Sequence, residues 1–145
     1  MKIQPYLFFN GQCDEAIDFY GRALNAQVTE LMRFKESKET MESGMVPADA
    51  GDKVMHASLK IGDQEIMISD GQCGGTPNFQ GMSLTITVAD DAEAEKTFAA
   101  IGDGGQVQMP MGKTFWASRF GMVADRFGVS WMVMAPSRRP SANLF

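Results

Sequence analysis

Apolar and polar positions alternate with two different periods along this chain, and the changes of period mark its elements. Ile3 to Phe9 is an apolar, β-prone run that stops at the turn signal Asn10-Gly11. From Gln12 to Leu24, Cys13, Ala16, Ile17, Tyr20, Ala23 and Leu24 recur at helical spacing. Asp14 and Glu15 fall in the first turn of this amphipathic helix, where its dipole favours acids. Gln27 to Glu36 alternates as a second strand. Ser37 to Asp52 is polar and contains Gly44, Pro47 and Gly51, which predicts a mobile loop over an opening. Lys53 to Ile61 and Gln64 to Asp70 read as strands joined at Gly62-Asp63, a hairpin signal. The order is βαβββ.

The same order follows again. After a connector from Gly71 to Gln80, Met82 to Val88 alternates as a strand, and Asp90 stands at the N-cap of a second helix. Ala94, Thr97, Phe98 and Ile101 form its buried stripe, and Gly102 to Gly105 ends it. Gln106 to Met109 supplies a strand, and Pro110 to Ala135 folds back as a closing hairpin whose turn, Ala-Asp-Arg-Phe-Gly, places Gly128 where positive φ is needed. Strict alternation puts Trp116, Ser118, Phe120 and Met122 on one face of that hairpin, and sets Val129, Trp131 and Val133 opposite Ser130, Met132 and Met134. One face suits packing against a helix, with Trp131 in the core; the other suits the lining of a cavity. Phe19 precedes Gln27-Val28 by the same interval that Phe98 precedes Gln106-Val107, so two copies of one unit are the simplest account. The fold class expected is α+β, one domain over 1–145, with repeats at about 1–70 and 81–135 and a tail, 136–145, that is either disordered or laid on a partner subunit.

Charge and cysteine usage narrow the partners. A net charge of −5 without a lysine or arginine run repels a phosphate backbone, so nucleic acid is not expected. The apolar run at the N-terminus is too short for a signal-peptide core or a membrane span, which points to a cytoplasmic protein and no membrane partner. Cys13 and Cys73 read as free thiols, and neither has a second ligand at zinc-binding spacing.

Tandem βαβββ units with Ala-Ile-Asp-Phe-Tyr at 16–20 resemble the vicinal oxygen chelate superfamily, which includes glyoxalase I, extradiol dioxygenases and bleomycin-resistance proteins. Five segments resemble its PhnB-like branch, in order along nearly the whole chain: Pro5 to Gly11, Val54 to Ala57, Ile66 to Asp70, Thr114 to Ala117 and Asp125 to Met132. The resemblance implies cupped half-barrel sheets with helices outside and a homodimer, and it implies no one reaction. The metalloenzymes of the superfamily bind a divalent ion through His and Glu at four strand positions. Here these fall at Pro5, at Met67 or Ser69, at Ser83 and at Met132. Such residues offer a hard cation no carboxylate or imidazole, so no metal and no cofactor are expected.

The candidate ligand-binding residues come from both repeats. The first supplies Leu7 and Phe9, His56 and Ser58, and Met67 and Ser69; the second supplies Ser83, Trp116, Phe120 and Met132. His56, the sole histidine, is the candidate catalytic base, since an imidazole titrates near neutral pH; its structural reading is a hydrogen bond to a neighbouring strand or to Asp70. Trp116 and Phe120 offer flat apolar walls or plain core packing, and the methionines suit an adaptable pocket or simply fill gaps. No Gly-x-Ser-x-Gly elbow activates a serine, and no glycine-rich loop leads from a strand into a helix as a nucleotide-type methyltransferase fold requires. The expected function is metal-independent binding of a small molecule in an apolar cavity. The alternatives are a lyase or isomerase that uses His56, or an ion held by His56 with Asp70 or Glu65, and an interaction scaffold.

Overall fold

The computed structural model describes residues 1–71 and 73–137, and divides into two compact units, Met1–Pro77 and Asn78–Phe145. Residues 138–145, most of the expected tail, lie outside the described residues.

The first unit runs β1 (Tyr6–Phe8), α1 (Cys13–Leu24), β2 (Gln27–Arg33), a 3-10 turn (Phe34–Glu36), α2 (Lys38–Glu42), β3 (Val54–Ile61) and β4 (Gln64–Ser69). Its sheet has the order β1-β4-β3-β2, with β1 parallel to β4 and the other pairs antiparallel. Register fixes the faces, because directly paired residues point the same way. Leu7, Ile68 and Ala57 share one row, and all are buried. Beneath them lie Cys13, Ala16, Phe19 and Tyr20 of α1, with Phe9 edge-on to Tyr20 at 6.2 Å between ring centroids. Burying each large side chain of this kind contributes about 1.5–3 kcal/mol.

Three local expectations are corrected in this unit, and one tie is added. The first strand covers only Tyr6–Phe8, since Pro5 has no N–H for a ladder; it contributes a carbonyl, which accepts from Met67 N at 3.0 Å. The second strand stops at Arg33, where Phe34 turns inward to join Val46 and Ala50. The polar stretch after it is not an open loop: Ser37 caps α2 by accepting from Thr40 N, and the small cluster of Phe34, Val46 and Ala50, with Met41, Met55 and Cys73 against it, holds the segment down. Asp70 adds a tie that spacing did not reveal. Fully buried, it accepts from Gly11 N at 2.8 Å and Cys13 N at 2.9 Å on Oδ1, and from Val54 N at 2.8 Å on Oδ2.

The second unit repeats the order as β5 (Leu84–Thr87), α3 (Asp91–Gly102), β6 (Gln106–Gly112), β7 (Ala117–Ala124) and β8 (Ser130–Pro136). Its sheet, β5-β8-β7-β6, repeats the first topology, with β5 parallel to β8. Asp90 caps α3, accepting from Glu93 N at 2.8 Å. Trp131, Val133 and Val123 form the buried face that meets α3, and Gly121 lets the helix approach: a Cβ there would stand 2.7 Å from Cε2 of Phe98. At the closing turn Gly128 has φ +89°. Asp125 fixes the turn, accepting from Phe127 N at 2.9 Å, Val129 N at 3.0 Å and Trp131 Nε1 at 2.9 Å.

Candidate functional site

Each sheet has a second face, turned away from its helix, and these faces carry the candidate chemistry. In the first unit, Tyr6, Met67, Ser58 and Glu30 share a row of that face, and Phe8 and Ser69 share the next. His56 alternates with Ser58 onto the same side, where Met32 is its partner on β2. The Tyr6 hydroxyl reaches across β4 and shares a hydrogen bond with His56 Nδ1 at 2.9 Å, and the rings lie 5.6 Å apart. The other ring nitrogen of His56, Nε2, faces Glu30 Oε2 at 3.9 Å. Partial burial raises the Tyr6 phenol above its usual range, and a hydrogen bond with Ser69 offsets part of the effect.

Leu7 and Phe9 therefore do not belong to this face. They point into the helix-covered core, and Tyr6 and Phe8 take the places assigned to them. Tyr-Leu-Phe-Phe is apolar at every position, so periodicity alone does not choose between its two sides. The one signal was the Tyr6 hydroxyl, which a core rarely accepts without a partner. Nor does Asp70 meet His56: both its oxygens serve backbone amides on the helix side. Glu65 pairs with Lys60, four residues along β3 from His56, which at about 3.3 Å per residue puts it ~13 Å away. The acid that does face His56 is Glu30, on the edge strand. Ser69 Oγ accepts from Gly71 N at 2.9 Å, and Ser58 is buried beneath its neighbours. Cys13, also fully buried, is no nucleophile, because burial, with the Asp70 carboxylate adding to it, pushes its thiol far above the usual range. Cys73 is likewise a free thiol.

In the second unit the corresponding face reads as three successive rows. At one end Ser83 Oγ donates to Ser130 Oγ at 2.9 Å, and Ser130 Oγ donates to Gln108 Oε1 at 2.9 Å. Next come Thr85, Met132, Met122 and Met109 in register, then Thr87, Met134 and Phe120. Successive rows are two residues, ~7 Å, apart. At the far end Ala117, Phe120 and Met134 are buried together with Trp116, Met122 and Met132 packed on them; Trp116 meets Phe120 edge-on at 5.4 Å. Ser118 leaves this face. A register shift between Ala117 and Arg119 turns it toward α3, where its hydroxyl donates to Asp91 Oδ1 and Arg119 meets Glu95 at 3.2 Å.

The positions at which the superfamily holds a metal can be tested by donor chemistry. Pro5 offers a carbonyl already bonded to Met67 N, Ser69 and Ser83 have hydroxyls engaged as above, and Met67 and Met132 carry thioethers. This set does not fit a hard divalent cation. Among the described residues no three His, Cys, Asp or Glu side chains stand together as a metal-holding group. No described helix is long and apolar enough to cross a membrane.

Two successive βαβββ units, each with its first strand parallel to its fourth, define a protein of the glyoxalase fold, the fold of the vicinal oxygen chelate superfamily. Within it the chain belongs to the family described as 3-demethylubiquinone-9 3-methyltransferase, whose family profile matches residues 1–134, and it is PhnB-like. It is 33% identical to protein YjdN of Escherichia coli, over 97% of this chain and 99% of that protein. The crystal structure of PA1353 from Pseudomonas aeruginosa has 42% identity and a TM-score of 0.80, covering 94% of this chain and 98% of that one. A putative 3-demethylubiquinone-9 3-methyltransferase, PhnB protein, from Bacillus cereus has 26% identity and a TM-score of 0.76, covering 93% and 99%. The family description names a methyl transfer, but each sheet here has a single parallel pair and differs from the doubly wound parallel sheet that seats nucleotide-type cofactors. Membership therefore establishes kinship and fold.

Proposed function

We propose that this protein binds a small, largely apolar molecule without a metal, on the sheet faces turned away from its helices, as a cytoplasmic homodimer. The observation that carries the reading is the second unit's row of methionines between a hydroxyl row and an aromatic cluster. Thioethers adapt to varied shapes, aromatic rings supply flat walls, and a few hydroxyls orient the guest. His56, held by Tyr6 on the first unit's face, serves as a polar contact. Two free thiols accord with a reducing compartment. Exposed Val28, Leu31 and Met32 on the edge strand β2 favour self-association.

A thermal-shift screen against metabolite and antibiotic panels, with metal analysis of chelator-free protein, tests this. A true guest at a hundred times its dissociation constant adds about 2.7 kcal/mol of stability. A stoichiometric metal ion, or a panel in which nothing raises the melting temperature, refutes the reading. Light scattering at micromolar concentration tests the dimer, and a monomer mass rejects it.

A further inference from the structure

Trp116 carries the one buried side-chain donor or acceptor among the described residues that has no hydrogen-bond partner, its indole Nε1. The contrast within the unit is sharp, because the other indole, Trp131, gives its N–H to Asp125. Leaving a buried N–H unpaired is costly, so proteins do so rarely, and an acceptor brought by another molecule would remove the cost. The position supports that account. The indole packs on Phe120, in the cluster with Ala117 and Met134, at the apolar end of the face turned away from α3. Phe115 lies edge-on to it at 4.7 Å yet is 81% exposed, so it can rotate off the indole with little loss of burial.

From this we infer that Trp116 Nε1 is the polar anchor of the ligand site, and that the ligand class is an aromatic or polycyclic apolar molecule bearing a carbonyl-type oxygen. The inference rests on the binding function proposed above and specifies it. The ring system lies against the half-buried Met122 and Met132, and the oxygen accepts from Trp116. A carboxylate would gain no counter-charge from the aromatic and methionine side chains there, and a hydrocarbon would leave the N–H orphaned.

Two matched probes test it on the full chain: 2-acetylnaphthalene and 2-ethylnaphthalene, which differ in the carbonyl oxygen. Nitrogen-15 spectra report the two indole N–H groups, assigned with Trp116→Phe, and carbon-13 methionine methyls report the face. The expected result is that the ketone moves the Trp116 indole proton downfield and binds about tenfold more tightly than the hydrocarbon, a preference that Trp116→Phe abolishes. If both probes shift the methionine methyls with equal affinity while the indole stays still, the anchor is refuted and the binding function stands. If neither probe moves any methyl, both fail. An indole proton unresponsive to probes but moving upfield on dilution assigns the acceptor to a second copy of the chain and overturns the inference.

Discussion

Replacing Asp70 by Asn removes one oxygen acceptor and one charge while keeping size and shape. In the native protein the carboxylate takes three backbone N–H groups, those of Gly11, Cys13 and Val54, all within 2.9 Å. An asparagine amide turned with its oxygen toward Gly11 and Cys13 sets its NH2 against the Val54 N–H, so that bond is lost and two donors face each other. Turned the other way, it loses two bonds. A hydrogen bond to a charged group contributes about 1.5–3 kcal/mol, and the surviving bonds fall to the neutral value of about 0.5–1.5 each. The expected loss is about 3.5–6 kcal/mol, from a total that for such domains is about 5–15. The melting temperature should fall by roughly 10 °C. Urea titration measures the change directly, with an unchanged slope, and hydrogen exchange should show the Gly11, Cys13 and Val54 amides losing protection. Relief of a buried charge works in the opposite direction. If Asp70→Asn and Asp70→Ala both lie within about 1 kcal/mol of the parent, charge burial outweighs the three bonds and the reasoning is wrong.

Gly105→Ala should destabilise the second unit by about 1–3 kcal/mol in urea, because the new Cβ collides with the carbonyl oxygen of Ala124 and stands 2.9 Å from Asp125 backbone atoms, which cannot swing aside as a side chain can. Cys13 predicts a pH dependence: its folded pKa is raised, so above the unfolded value of about 8.5 the unfolded chain loses a proton that the folded chain keeps, and stability falls by up to about 1.4 kcal/mol per pH unit. Urea midpoints between pH 8 and 10 should therefore fall less in Cys13→Ala than in the parent, and parallel curves would reject the assignment. Dialysis against EDTA should leave the thermal midpoint in place, since the four positions that hold metal elsewhere in the superfamily offer no fitting donor set. Tyr6→Phe should move the His56 ring nitrogen-15 resonances without unfolding the chain, and unmoved resonances would deny the contact.

Where periodicity has a clear answer the sequence was legible. The two helices, the repeated βαβββ order, the Asp90 cap and the Gly128 turn all follow from spacing and turn chemistry. What escaped has two physical causes. Runs apolar on both sides, such as Tyr6 to Phe9, carry no parity, and only pairing with β4 decides that Leu7 goes inward. Irregularities also break parity locally: the bulge near Ser118 turned that hydroxyl to the helix side while Phe120 and Met122 kept theirs. The partners of His56 were hidden for a related reason, since Tyr6 lies two strands away and Glu30 on the edge strand beyond a further irregularity. The segment after Arg33 looked open because its buried residues, Phe34, Val46 and Ala50, are too widely spaced to form a stripe.

The pairing of each unit's opening strand with its final one has a consequence for how the chain is made. Tyr6 must wait for Met67, about sixty residues later, and Leu84 for Trp131. As the polypeptide leaves the ribosome, the hairpins of β3–β4 and β7–β8 can zip as soon as both arms emerge, whereas β1 and β5 are recruited last. The first unit can thus close while the second is still being synthesised, and until it does, the Tyr6–Phe8 segment is the stretch that a chaperone would find unclaimed.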